Sequence, residues 1–299
     1  MRKCKLRTGS APVIEITREA FESATEKKPP YYSGDPKSDG RQFAVCPACE
    51  NPIKIIGMYK KLTLTDKPYG KHFPHTVKGL ASYSQQEYEY CILRGSAKIS
   101  KSSRRPESSG MPREILKLLR SQFDLVADIL SKETDIRFSR SLLRHMLRTY
   151  LGEQGHRYFG ATLYNLPWVF GYMSNSQKLY GQYIRKDSPL AHMIQLRCPE
   201  IILTGSDSGD YAQVSKSGVS FVDLNFCFIH HRQKATGYDL SESITFHVSR
   251  GLGTPPETVY EKTIEIDPAF FPNLIHTPRE IAGRKEALLA LAGEEITGI

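Results

Sequence analysis

The run FAVCPACENPIKIIGMYKK, residues 43–61, decides how the rest of the chain is read. Two thiols separated by two residues, Cys46 and Cys49, can grip one metal ion on a tight turn whose backbone amides donate to the sulfurs, and Pro47 stiffens that turn. The apolar NPIKIIGMYKK that follows reads as a strand leaving the turn, the start of a zinc-ribbon-like module. A tetrahedral zinc site needs two further nitrogen or sulfur donors. Downstream, PYGKHFPH and YEYC supply His72, His75 and Cys91. Both Cys46/Cys49/His72/Cys91 and Cys46/Cys49/His72/His75 satisfy the count. Pro74 restricts the geometry of the His pair, and closed structural sites are commonly rich in thiolate, which favours the set with Cys91. A redox Cys-x-x-Cys pair wants a strand–helix junction, and Asn51-Pro52 argues against a helix starting there. Two ordinary cysteines in a turn are the bland alternative. A catalytic ion keeps an open position and a nearby base; Glu50 and Glu89 adjoin the donors but in no metalloenzyme spacing, so the expected role of zinc is structural.

The portion CPAC…HFPH, residues 46–75, resembles the N-terminal zinc element of CoiA-like competence proteins, which carry a Cys-x-x-Cys followed by His-Phe-x-His. That resemblance implies a nuclease domain beyond it, but the carboxylate pair and lysine of such a domain find no match in the residues that follow. The longer pattern CPAC…KPYGKH…GLASYSQQEYEYC is similar to uncharacterised bacterial proteins of mobile elements and implies no activity.

The remaining cysteines are scattered. Six in 299 residues is no disulfide framework. Cys227, inside VDLNFCFI, reads as a small buried hydrophobe, and Cys4 and Cys198 as structural. An apolar fraction of 39% is enough for a core, and no apolar run is long enough for a membrane-spanning helix. MRKCKLRTGSAPVIEI lacks the apolar region of a secretory signal, so the expected location is cytoplasmic.

Working outward, KKPPYYSGDPKSDG makes residues 1–42 an expected polar arm and linker. Residues 43–95 form the zinc module. SAKISKSSRRPESSG, residues 96–110, reads as a flexible basic linker. Pro112 opens a helix whose apolar face is Ile115, Leu118, Leu119, Val126, Ile129 and Leu130. A second helix is expected over 136–151, and one or two more in the aromatic-rich 156–195, completing a helical domain over 111–198. Beyond 199, EIILT, GVSFVDLNFCFIHH, ESITFHVS and TVYEKTIEID read as antiparallel strands, with Val222, Leu224, Phe226 and Phe228 sharing one face and Ile244, Phe246 and Val248 another. Turns are expected at 237–239 and 251–253. Thr277-Pro278-Arg279-Glu280 is a capping box, predicting a last helix from 278 to about 292. The fold class is therefore α+β: a zinc-ribbon-like front, a basic helical middle, and an antiparallel C-terminal sheet with a terminal helix.

Charge points to the partner. The chain carries 41 Lys and Arg against 32 Asp and Glu, a net +9. Residues 98–157 hold thirteen of the cations and seven of the anions. On a helix, Arg137, Arg140, Arg144 and Arg148 would fall within an arc of roughly 80°, a stripe suited to successive phosphates. Arg104, Arg105, Lys60, Lys61 and Lys71 extend the expected nucleic-acid surface, and Lys54 accompanies them. The bland reading is a solvated face, or arginines paired with acids from elsewhere. Tyr158, Phe159, Tyr164, Trp168, Phe170, Tyr172, Tyr180 and Tyr183 would stack single-stranded bases if exposed, although such rings are more often core. Arg140-Ser-Leu-Leu-Arg-His145 has the Arg-x4-His spacing of HEPN-type ribonucleases, in which Arg and His cleave RNA without metal. His230-His231 on a strand end offers a further metal possibility. The sequence contains no phosphate-binding glycine loop and no nucleophile elbow. The expectation is a zinc-stabilised DNA- or RNA-binding protein, a non-catalytic subunit or accessory factor of a bacterial nucleic-acid-processing system. A nuclease and a protein-docking scaffold are the alternatives.

Overall fold

A computed structural model describes residues 1–34, 40–60, 62–63, 65–94, 100–205, 209–218, 223–236, 239–251, 255–278 and 283–298, with the backbone alone at 235–236 and 239–240. At the Cys-Pro-Ala-Cys turn, strands β4 (Arg41–Val45) and β5 (Pro52–Ile56) form an antiparallel hairpin, in register from Val45↔Pro52 to Gln42↔Ile55. Strand β6 (Tyr69–His72) continues the sheet beside β5 and brings His72 opposite Ile53.

Residues 1–42 are not an arm. Lys3–Lys5 (β1) and Val13–Glu15 (β2) pair with each other, and Lys5 pairs with Val45 of β4. Helix α1 (Arg18–Thr25), N-capped by Thr17, follows, and Tyr32–Ser33 (β3) pairs with Arg41–Gln42 of β4 on the edge away from β5. Apolar residues set between polar ones explain the departure: Cys4 and Phe21 have no exposed surface, so a segment polar on average still has one buried face. The linker residues 35–39 lie outside the described residues.

The expected linker 96–110 also differs. Its first residues, 96–99, lie outside the described set, but from Ser100 the backbone docks on the loop after the second long helix. There Arg105 N donates to Arg157 O at 2.7 Å and Phe159 N to Ser103 O at 3.0 Å. Helix α3 (Met111–Thr134) has Pro in its first turn and buries all six predicted apolar positions. Helix α4 runs Arg140–Gly152 rather than from 136, because Ser139 takes the N-cap, accepting from Leu142 N at 3.2 Å. Ile136–Arg137 is instead a short strand, β7.

Helix α5 (Leu166–Met173) is nearly all buried, and α6 (Pro189–Arg197) follows two short strands, β8 (Gln177–Lys178) and β9 (Tyr183–Arg185). The C-terminal strands divide between two antiparallel sheets. Strand β10 (Ile201–Thr204) pairs with β11 (Tyr211–Lys216), which the sequence does not announce; β11 pairs in turn with β9, and β9 with β7. The long β12 (Leu224–Thr236), β13 (Asp239–Arg250) and β14 (Glu257–Glu265) form the other, with β8 on its edge. Leu224, Phe226, Phe228, Ile244, Phe246 and Val248 are buried, as their alternation predicts. Val222, the turn residues Gly237 and Tyr238, and Leu252 and Gly253 lie outside the described residues.

The helix expected from 278 to about 292 is not continuous: residues 283–285 are not helical and α8 spans Glu286–Glu295, after α7 (Phe270–Ile275), while residues 279–282, with Arg279 and Glu280 of the capping box, lie outside the described residues. Arg284 and Lys285 are drawn onto α3 instead, Arg284 forking Asp124 at 2.6 and 2.8 Å and the Lys285 amide donating to the same carboxylate at 3.1 Å. Among the described residues no helix is long and apolar enough to cross a membrane. Buried side chains form a continuous apolar core from Cys4 through Phe123 and Phe246 to Ile296.

Candidate metal centre

The β4–β5 hairpin closes through the cysteine turn: Cys46 N donates to Asn51 O at 2.8 Å and Glu50 N to Cys46 O at 3.1 Å. Glu50 takes the left-handed conformation, φ 61°, that lets the chain reverse so sharply. β6 delivers His72 from the adjacent strand. Helix α2 (Gln85–Glu89), N-capped by Ser84, delivers Cys91 just past its end. One ligand atom from each of Cys46, Cys49, His72 and Cys91 lies within 4.8 Å of all the others. Cys46 Sγ and Cys91 Sγ are 3.7 Å apart, and His72 Nε2 is 3.4 Å from both Cys49 Sγ and Cys91 Sγ. A tetrahedral zinc with Zn–S of about 2.3 Å and Zn–N of about 2.0–2.1 Å needs S···S edges of about 3.8 Å and S···N edges of about 3.6 Å. These three edges are close to those of that polyhedron, the other three are no longer than 4.8 Å, and Cys46 and Cys91 are too far apart for a disulfide. All three cysteines are buried, Cys46 completely.

His75 is not part of the cluster. It is exposed, its ring edge-on to Phe73 at 5.1 Å; with Pro74 between them, His72 alone turns inward. The structure thus selects between the two donor sets left open by the sequence. Glu50 is no free base either, since its carboxylate is engaged by the buried Lys5 ammonium and by Gly9 N at 2.6 Å. Glu89 accepts from Gln85 Nε2 at 2.7 Å on the surface.

Asn51 was not foreseen and ties the two halves together. Its amide donates to Cys49 Sγ at 3.4 Å and to Ser84 O at 3.1 Å, while its carbonyl oxygen accepts from Ser84 N at 2.6 Å. The residue that breaks the turn thereby fixes the start of the helix that carries Cys91. Burial pushes the Cys46 thiol up, but hydrogen bonds from Cys49, Cys91 and the Cys49 and Ala48 backbone outweigh it and hold the group well below the ordinary thiol value. These are the donating amides expected of such a turn. Burial and the neighbouring thiols push Cys91 the other way. In an empty cluster of three thiols only part can ionise, whereas an ion of charge two would let all three do so.

Arg105 is a correction. It is 1% exposed and donates through Nη1 to Tyr158 O at 3.0 Å and Ala161 O at 2.7 Å. Its Nε faces Glu87 of α2 at 3.7 Å. Burial pulls its guanidinium below the ordinary value, opposed by Glu87, Cys91 and Cys49. It therefore serves the interior beside the cysteines, not a phosphate. A cavity of about 930 Å³ opens beside Cys49 and Asn51 and reaches Glu87 and Gly110 at the start of α3.

The other expected contact residues divide. Arg140, Arg144 and Arg148 do share a face of α4, and with Ser141 and His145 they line a shallow concavity of about 400 Å³. Arg137 leaves this face because it lies on β7, its guanidinium over the Tyr211 ring at 5.9 Å. Arg104 is tied down, donating twice to Glu153 O at 3.1 and 2.8 Å. Lys71 is exposed on β6 opposite Lys54 of β5, and Lys60 is exposed after β5; Lys61 lies outside the described residues. Acids from far along the chain meet the stripe: Glu294 contacts Arg144 at 2.6 Å, and Glu295 forks Arg148 at 2.8 and 2.9 Å.

Half of the eight aromatics are core, and Phe159 and Tyr172 are partly buried. Tyr158, Tyr164, Trp168 and Phe170 are at most 2% exposed, while Tyr180 and Tyr183 are open. His230 faces solvent and His231 turns inward, into a buried chain that the sequence did not announce. Tyr158 Oη meets His231 Nδ1 at 3.0 Å, and His231 Nε2 meets Glu242 Oε1 at 2.6 Å. Glu242 also accepts from Tyr164 Oη at 2.5 Å and Asn165 Nδ2 at 2.6 Å. These bonds satisfy one another across the β12–β13 bulge after Ile229.

Comparison with protein-family models, with curated proteins and with solved structures produced no match.

Proposed function

We propose that this chain is a zinc-stabilised nucleic-acid-binding protein, an accessory factor of a bacterial nucleic-acid-processing system. The Cys46/Cys49/His72/Cys91 tetrahedron supports the metal part of the reading. Four protein donors leave no open position for substrate, so zinc acts there as a structural clamp. The observation that carries the nucleic-acid part is the concavity on α4 lined by Arg140, Ser141, Arg144, His145 and Arg148. Arg140 and Arg148 keep 54% and 64% of their side-chain surface exposed, and guanidinium groups match phosphate oxygens in pairs.

Fluorescence anisotropy with a labelled oligonucleotide, titrated at several salt concentrations, tests it. Arg144→Gln together with Arg148→Gln should weaken binding to every sequence alike and flatten the log–log salt slope by about 2 on duplex DNA. Equal affinity and equal slope for the two proteins would exclude this face as the binding surface. A second reading rests on Arg140 and His145 sharing the concavity: metal-independent RNA cleavage. Release of labelled RNA fragments in chelator, lost in His145→Ala, would establish it.

A further inference from the structure

Two glutamates occupy the arginine face. Arg144 Nη2 lies 2.6 Å from Glu294 Oε2 and its Nε 3.3 Å from Glu295 Oε1. Arg148 holds Glu295 in a two-pronged pair, Nε to Oε2 at 2.8 Å and Nη2 to Oε1 at 2.9 Å. Arg140 only approaches Glu294, at 4.0 Å. These carboxylates do not reach the stripe by chance of side-chain wandering, because α8 is locked in place. Leu291 and Ala292 have no exposed surface, Ile296 is buried after them, and Arg284 clamps the approach to the helix onto Asp124 of α3. Glu295 itself retains only 14% of its side-chain exposure.

A carboxylate paired to a guanidinium by two parallel N–H···O bonds presents oxygens where a phosphate would place its own. We propose that the last turn of α8 is a built-in competitor for the nucleic acid backbone, Glu294 and Glu295 standing in for phosphates on Arg144 and Arg148. This rests on the nucleic-acid reading above and specifies how that site is regulated. Nucleic acid arriving at the α4 concavity finds His145 exposed and Arg140 only loosely held by Glu294, and must exchange with the two carboxylates to gain the rest. The exchange returns the charge on Glu294 and Glu295 to water, so net affinity is lower than three arginines on one helical face would provide. It also makes the position of the C-terminal helix a control on binding: anything that draws α8 away from α4 uncovers the full stripe.

The test is anisotropy with a fluorescein-labelled oligothymidine, on the full chain, for four proteins. Glu294→Gln with Glu295→Gln keeps the shape of both side chains while removing the competing charge. It should bind roughly tenfold more tightly than the wild type, the scale set by two partly exposed ion pairs. Glu15→Gln with Glu19→Gln removes the same charge from β2 and α1, in the first sheet, and should leave affinity within about twofold. Adding the two glutamine changes at 294 and 295 to Arg144→Gln/Arg148→Gln should give no gain, because the contested donors are gone. An affinity unchanged or lowered in E294Q/E295Q, or matched by E15Q/E19Q, overturns the competition. If R144Q/R148Q loses binding in the same series, the nucleic-acid reading stands without it. If the wild type and R144Q/R148Q bind equally and E294Q/E295Q adds nothing, both fail together. Circular dichroism and the thermal midpoint confirm that each variant remains folded.

Discussion

Cys91 shows what a single residue decides here. It lies 42 positions beyond Cys49 in sequence yet sits 3.7 Å from Cys46 and 3.4 Å from His72. Cys91→Ser should reduce bound zinc in the purified protein to well below one ion per chain and lower stability by several kcal/mol, since binding energy at a structural site is folding energy. His75→Ala should leave the metal content at one per chain. Elemental analysis of both proteins is the check, and loss of metal in His75→Ala would overturn the assignment of donors. His156 gives a pH signature. Burial first, then Arg157 and Arg104, holds it down at about 4 from an ordinary 6.5. The unfolded chain therefore takes up a proton that the folded chain refuses. Its contribution is intact above 6.5 and is lost progressively as pH falls from 6.5 toward about 4. Urea denaturation across that range should show a shallower decline for His156→Asn than for the wild type; identical slopes would count against it.

Among the elements, α5 meets β12 of the C-terminal sheet at close range. A Cβ at Gly171 would lie 2.7 and 2.8 Å from two ring carbons of the buried Phe228. Gly171→Ala should therefore force α5 off the sheet and cost about 1–3 kcal/mol, measured as a lowered denaturation midpoint with no loss of zinc. A wild-type midpoint would mean that the ring moves aside freely. The arginine helix carries its own lesson. Period alone placed four arginines on one stripe, but Ser139 caps the helix after Arg137 has already entered a strand. Three of the four remain together, and the acids that meet them come from α8.

For the whole molecule, Cys46, Cys49 and Cys91 belong to one buried core that runs on into α3 and the last sheet. Beyond β1 pairing with β4, the N-terminal segment is held to the C-terminal one: Val13 N donates to Asn273 Oδ1 at 3.1 Å, and Lys3 is paired with Asp267. Buried residues connect the cysteines to α3 and to the last sheet without a break. Stripping zinc with a chelator should thus lower the midpoint of one cooperative unfolding transition of the entire chain, followed by calorimetry, instead of melting a small early domain ahead of the rest. Two resolved transitions after chelation would contradict that. Within the expected linker 96–110, Arg105 is drawn inward from a stretch whose Ser and basic composition reads as exposed.

Local chemistry was legible where a residue type has few uses. A Cys-x-x-Cys before a strand, a proline opening a helix, and strict alternation in LNFCF and SITFHV each impose their structure on neighbours a few residues away, and the sequence alone determined the α+β class, the apolar faces and all the donors from which the metal set was drawn. Which histidine turns inward, which arginine is buried, and which glutamates lie on the stripe were decided only by tertiary structure. Those outcomes depend on contacts between segments many tens of residues apart, and average polarity carries no record of them. A polar side chain is stable inside or outside according to whether a distant partner meets it, and Arg105 with Glu87 and Arg148 with Glu295 became what they are when the chain closed around them.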